Sequence, residues 1–159
     1  MPLKLVRVDD RLIHGQVVAV WLRAVGADRI VIVDDKTAQN EFLRDVLTLA
    51  APQGTPVEVY GLTDGLARVT ELASSPTSVF LLMRTPLTAL RLRELGVQFD
   101  MLNVGGLGAG PGRHPRYKNI SATDEEMAAM RTLEEMGTKV ELRIVADDHD
   151  VPFASVDKR

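Results

Sequence analysis

Arg7-Val8-Asp9-Asp10-Arg11-Leu12-Ile13-His14-Gly15-Gln16 gathers two arginines, two aspartates and a histidine into ten residues. An imidazole can take a phosphoryl group on nitrogen, and guanidinium groups can grip phosphate oxygens in pairs. A carboxylate can hold the proton on one ring nitrogen so that the other keeps its lone pair. His14 is therefore the candidate catalytic residue, Arg7 and Arg11 the candidates for phosphate, and Asp9 and Asp10 the candidates for orienting the ring. Gly15 and Gln16 stand where a helix should begin, and the unpaired backbone N–H groups there favour an anion. Phosphoryl transfer asks chiefly for positioning and charge stabilisation, and this stretch holds groups for both.

The flanking residues supply the frame. Leu3, Leu5, Val6 and Val8 precede the stretch as an extended apolar run, and Val17, Val18, Trp21, Leu22 and Val25 follow it at helical spacing. Strand-like and helix-like segments then alternate. Arg29–Val33, Val57–Tyr60, Ser78–Met83 and Phe99–Val104 read as strands. Between them run helices, one with Phe42, Leu43, Val46, Leu47 and Ala50 on one face. Thr123 and Glu126 fit a capping box opening a further helix that stops at Gly137. A brief strand is expected at Asn119–Ser121 and a last, more exposed one over Lys139–Val145. Trp21 and the methionines of the helix after Thr123 are expected in the core. Repeated βα units imply one α/β domain over residues 1–159, in three α/β/α layers. Its sheet should be open and mostly parallel, with about six or seven strands. The polar tail after Ala146, and above all after about residue 152, is expected to be weakly ordered.

Ligands of such folds bind at the carboxyl ends of strands. Arg7–His14, Asp34-Asp35, Arg84-Thr85 and the run Gly105-Gly106-Leu107-Gly108-Ala109-Gly110-Pro111-Gly112 all fall there. The glycine run lacks G-x-G-x-x-G spacing, so it reads either as a flexible connection or as a docking surface beside the crevice. A receiver-type acidic site is excluded, because Tyr60-Gly61 stands where an acceptor aspartate is required. His114 reads as a surface residue, His149 as incidental, and Asp34-Asp35 as a strand end rather than a metal site.

Composition narrows the classes. Cysteine is absent from the 159 residues, which excludes disulfides and thiolate chemistry. No apolar run approaches the roughly 20 residues that span a bilayer, and no signal segment opens the chain, so a cytoplasmic location is expected. A net charge of −3 argues against a dedicated nucleic-acid binder.

Arg7 to Val17 resembles the phosphorylation loop of the IIB component in the mannose/fructose/sorbose class of the bacterial sugar phosphotransferase system (PTS). Ile32-Val33-Asp34-Asp35 with Asn40, Leu49-Ala50-Ala51-Pro52, Asn103-Val104-Gly105-Gly106 and Lys118-Asn119-Ile120-Ser121 match the family in the same order. The resemblance covers roughly residues 3–152. It implies that the histidine matching His14 receives a phosphoryl group, carried on Nδ1, from a phosphorylated IIA protein. It then passes the group to a sugar presented by the membrane components IIC and IID. Arg7 and Arg11 match positions expected to hold phosphate, Arg11 foremost, and no metal or organic cofactor is implied. His14 should sit in an exposed loop that two partners can reach in turn, and the domain should associate with the inner membrane face through IIC and IID. The sugar itself is expected to be bound chiefly by the membrane partner. IIA is expected on a separate polypeptide, and an exposed sheet edge leaves homodimerisation open. Leu107, where the family often has methionine, and His114-Pro115, in a region commonly rich in lysine, depart from the pattern. Two other readings compete: a regulatory module switched by His14 phosphorylation without sugar transfer, and a small-ligand-binding domain without covalent chemistry.

Overall fold

The computed structural model describes residues 2–157. In chain order the elements are β1 (Leu3–Asp9), α1 (Val17–Val25), β2 (Arg29–Val33), α2 (Asp35–Ala38), α3 (Glu41–Ala50) and β3 (Val57–Tyr60). There follow α4 (Leu62–Ala73), β4 (Val79–Met83), α5 (Pro86–Glu94) and β5 (Met101–Gly106). The remainder is β6 (His114–Tyr117), β7 (Ile120–Ala122), α6 (Asp124–Glu135), β8 (Lys139–Leu142), β9 (Val151–Pro152) and α7 (Phe153–Val156). Seven strands form one sheet in the order β3-β2-β4-β1-β5-β8-β9. Every pairing in it is parallel except β8 with β9.

Strand alternation divides the core between the two faces of the sheet. Ile30, Ile32, Phe80 and Leu82 pack with Val18, Trp21 and Leu22 of α1 and Leu47 of α3. Val31, Val33, Leu81 and Met83 pack instead with residues of α4, α5, α6 and α7. Helix starts are set locally. Asp34 and Asn40 accept the N–H groups of Thr37 and Leu43, and Pro86 follows the Thr85 cap. The Thr123–Glu126 capping box forms as expected. Because α1 and α5 leave β1 and β4 on opposite faces, a crevice opens at the carboxyl ends of these neighbouring strands.

Several expectations are corrected. Lys139–Leu142 is not an exposed last strand: Val140, Glu141 and Leu142 are buried, because β9 pairs beyond it and α6 packs over it. The basic segment from His114 pairs with Ile120–Ala122 as an antiparallel hairpin. Within the tail, Phe153 is buried in the core cluster that also holds residues of α6. On α3 the apolar face points largely outward. Of the residues expected on that face, Phe42 is 74%, Val46 42% and Leu43 38% exposed, whereas Leu47 alone in the helix is buried. This helix lies by β3, the edge strand, where the sheet runs out beneath it.

The edge strand β3 is locked to α4 by charge. Arg68 Nε donates to Glu58 at 2.7 Å, and Arg29 and Tyr60 donate to the same carboxylate. Arg68 first, then Tyr60 and Arg29, hold the Glu58 carboxyl down at about 2. A depressed acid stabilises the fold above its unfolded pKa near 4.5 and loses that contribution as pH falls toward about 2. Thermal melts across that window should show an acid-destabilisation limb that is smaller in Glu58→Gln by on the order of 1–2 kcal/mol. An unchanged limb in the variant would refute the assignment.

Candidate functional site

Arg7 and Asp9 are two residues apart on β1, so both side chains leave the same face of the sheet. Both are buried, at 1% and 0% exposure. Arg7 donates to the carbonyl oxygens of Arg143 at 2.8 Å and Ile144 at 2.7 Å, to Asn103 Oδ1, and to Asp9 Oδ2 at 3.3 Å. Its guanidinium stacks 5.2 Å from the Trp21 ring centroid, with Arg143 also stacked on that ring at 5.4 Å. Burial pulls the Arg7 pKa down to about 10 against the opposing pull of Asp9, so the group stays cationic at neutral pH. Arg7, expected at the phosphate, is thus committed to protein acceptors beneath the loop.

Asp9 is the hub. Its Oδ1 accepts the backbone N–H of Arg11 at 3.1 Å and Arg11 Nε at 3.3 Å. Its Oδ2 lies 4.0 Å from His14 Nε2. His14 Nδ1 sits 3.3 Å from the Leu12 carbonyl oxygen. The His14 side chain is 24% exposed, but Nε2 is buried and has no hydrogen-bond partner. Leu12 takes φ 57, a left-handed conformation, while Leu12 and Ile13 are each 5% exposed. Two adjacent apolar anchors therefore pin the loop between the exposed Arg11 and the partly exposed His14.

Asp10 faces elsewhere. Its Oδ2 accepts the Gly108 N–H at 2.7 Å and Arg113 Nη1 at 3.0 Å, and Arg113 in turn pairs with Glu126. It ties the loop to the glycine-rich segment and does not touch the ring; Arg84 Nε donates to its carbonyl oxygen at 3.1 Å. Arg11 is 51% exposed, the more open of the two arginines. Gly15, with φ 51, and Gln16 are exposed at the start of α1. No side chain caps that helix and no acidic residue occupies its first turn.

The structure therefore joins His14, Arg11 and Asp9, sets Gly15 and Gln16 beside them, sinks Arg7 and turns Asp10 away. Sequence reasoning assigned no role to Asn103, whose Oδ1 receives Arg7 while its Nδ2 donates to Glu141 at 3.0 Å. The signal was an asparagine inside an otherwise apolar strand. The adjacent glycines, by sequence a connection or docking surface, begin inside the sheet: Gly105 and Gly106 lie in β5. A Cβ at Gly105 would fall inside the Arg7 guanidinium, and one at Gly106 would lie 3.1 Å from Arg11 Nη2. Asp34 caps α2, and Asp35 accepts the Leu62 N–H at 2.7 Å. Among the described residues no group of three or more His, Cys, Asp or Glu could hold a metal ion, and no helix is long and apolar enough to cross a membrane.

Comparison with known proteins bears on this geometry. The family model for the PTS system sorbose subfamily IIB component matches residues 3–158. The sorbose-specific EIIB component of Klebsiella pneumoniae is 38% identical over 151 residues, spanning 95% of this chain and 92% of that protein. The fructose-specific EIIB component of Bacillus subtilis is 30% identical over 156 residues, spanning 98% and 96%. The crystal structure of the IIB domain of the Klebsiella pneumoniae sorbose permease superposes with a TM-score of 0.92 at 37% identity, covering 98% of this chain and 95% of that one. The family model across residues 3–158 and relatives of 30–38% identity over nearly their whole length place the chain in the mannose/fructose/sorbose family of phosphotransferase-system IIB components.

Proposed function

We propose that His14 is a transient phosphoryl carrier, charged by a phosphorylated IIA protein and discharged onto a sugar presented by membrane IIC and IID components at the cytoplasmic face. The observation that carries this reading is the setting of His14: a quarter-exposed ring between the Asp9 carboxylate and the Leu12 carbonyl, beside the exposed Arg11 and an uncapped helix start. Nε2 is buried against Asp9, and in this reading Nδ1 is the nucleophile. With the proton on Nε2 facing Asp9, the Nδ1 lone pair attacks phosphorus as the donor's P–N bond breaks. The ring must first turn Nδ1 off the Leu12 oxygen. The Arg11 guanidinium and the free N–H groups at the start of α1 meet the phosphoryl oxygens there. In the second step a sugar hydroxyl attacks, and the released ring takes up the hydroxyl's proton.

Incubation with phosphoenolpyruvate, the general phosphotransferase proteins and a IIA protein tests this. Intact mass should show one acid-labile phosphoryl group on the wild type and none on His14→Ala. Wild type that stays unlabelled beside a demonstrably phosphorylated IIA, or label that persists in His14→Ala, would overturn the reading. Label that forms but never reaches sugar with membranes containing IIC and IID would favour the regulatory switch.

A further inference from the structure

The sheet register makes Arg7, Asn103 and Glu141 direct partners across β1, β5 and β8. Partners across a sheet leave the same face. The rows on either side are apolar: Leu102 with Val140, and Val8 with Val104 and Leu142. One polar row therefore crosses an apolar stretch of the sheet, and all three of its members are buried. It is also bonded from end to end. Arg7 Nη1 donates to Asn103 Oδ1, and Asn103 Nδ2 donates to Glu141 Oε1 at 3.0 Å. At the other end Arg7 Nη2 donates to Asp9 Oδ2 at 3.3 Å, the oxygen that lies 4.0 Å from His14 Nε2. A second buried carboxylate thus stands behind the site, with no part in the steps described above.

The charge balance gives that carboxylate a role. Around the ring and the row stand the cations Arg7, Arg11 and Arg143, the first two bonded to Asp9 and the third stacked on Trp21 beside Arg7. Against them stand Asp9 and Glu141, since Asp10 is paired away on Arg113. When His14 Nδ1 bonds to phosphorus and the donor's P–N bond breaks, the proton stays on Nε2 and the ring becomes cationic. Asp9 is the carboxylate nearest that charge, but two guanidinium groups already draw on it. Negative charge at Glu141 acts on Arg7 in the same sense as Asp9 does. It offsets part of the guanidinium field that opposes a cationic ring.

We propose that Glu141 is a positioning residue for phosphoryl transfer: by sharing Arg7 with Asp9 through Asn103, it leaves Asp9 the negative charge that stabilises the cationic ring of phosphorylated His14. The proposal rests on the reading of His14 as carrier. Glu141→Gln tests it, because the variant deletes the charge while its side-chain oxygen still accepts from Asn103. Two strand spacings, about 10 Å, separate β8 from β1. Across that distance inside a protein, one unit charge moves a proton equilibrium by about three- to tenfold. Ring NMR of the isotopically labelled full chain should show His14 releasing its proton about three- to tenfold more readily in Glu141→Gln. The equilibrium of phosphoryl exchange with a IIA protein should move away from His14 by a similar factor. Glu141→Asp keeps the charge and should recover most of both. A merely structural role would lower the melting temperature and leave the ring titration where it was. Ring titration and exchange equilibrium both unchanged in a folded Glu141→Gln would therefore sink the proposal. The wild type offers a check that needs no variant: the Asn103 side-chain amide signals should follow the His14 titration, and a flat response would refute the coupling. A wild type that never accepts phosphoryl groups, with a ring that still responds to Glu141→Gln, would overturn the carrier reading and leave the charge coupling standing. Label on the wild type with an indifferent ring would do the reverse.

Discussion

Asp9→Asn is expected to slow phosphoryl acceptance by about 10²–10⁴-fold and to lower stability by about 3–5 kcal/mol. The two losses have different origins. Asp9 is fully buried, and its carboxylate is the one negative group hydrogen-bonded to the buried Arg7 guanidinium. An amide leaves that buried cation without its directly bonded carboxylate, with only Glu141 acting on it at longer range, and removing one member of a buried pair costs more than the pair contributes. The kinetic loss comes from the ring. A carboxylate accepts a proton only from Nε2–H and so keeps the lone pair on Nδ1. An amide can present its own N–H to Nε2 and favour the opposite, unreactive tautomer. The present separation of 4.0 Å is long for a hydrogen bond, and such contacts commonly tighten only when the partner is bound. Urea denaturation and the single-turnover rate with phosphorylated IIA separate the two effects. A variant that is destabilised but accepts phosphoryl groups at the wild-type rate would reduce Asp9 to a structural counter-ion.

Gly105→Ala should be almost as damaging to the fold, by about 3–5 kcal/mol, although it adds a single methyl group. The space a Cβ would need is filled by Arg7, with both terminal nitrogens and Cζ inside contact distance. Arg7 cannot give way, because four acceptors hold it and Trp21 stacks upon it. Gly110, five residues on in the same glycine-rich run, is the control. There the nearest atom to an added Cβ is Arg113 Cδ at 3.7 Å, an ordinary contact. Gly110→Ala should change stability by no more than about 0.5 kcal/mol. The pair is read by urea midpoints, and equal effects at the two positions would show that the run matters as a loop rather than as a seat for Arg7. Combining Gly105→Ala with Arg7→Ala should cost less than the sum of the two single changes, since the clash and the partner disappear together.

The glycine run shows where pattern reading stops. Its composition suggested flexibility or docking, and nothing within it indicates that an arginine from nearly a hundred residues earlier fills the gap beside one glycine. The mirror case is α3. Phe42, Leu43 and Val46 have the spacing of a buried stripe, yet all three are exposed because β3 ends the sheet beneath them. Periodicity reports that a helix has an apolar face; it does not report whether the fold has anything to lay against it. Phe153 errs the other way, a lone aromatic in a polar tail that nevertheless closes the core beside α6.

By itself the sequence determined the alternation of strand and helix, the capping box at Thr123, the parallel sheet, and the loop that carries His14 and Arg11. These follow from interactions between residues a few positions apart, whose spacing the chain states directly. It also held the resemblance to a phosphorylation loop, because that motif is contiguous. The tertiary structure alone decided that Arg7 is a buried support, that Asp9 rather than Asp10 faces the ring, and that Asn103, Gly105 and the Arg143 and Ile144 carbonyls complete the site. Arg7 and Arg11 are chemically alike, and so are Asp9 and Asp10. What separates them is that Arg7 and Asp9 lie within β1, whereas Asp10 and Arg11 lie beyond its end, together with what the neighbouring strands place beside each; strand pairing across nearly a hundred residues is not written in local spacing.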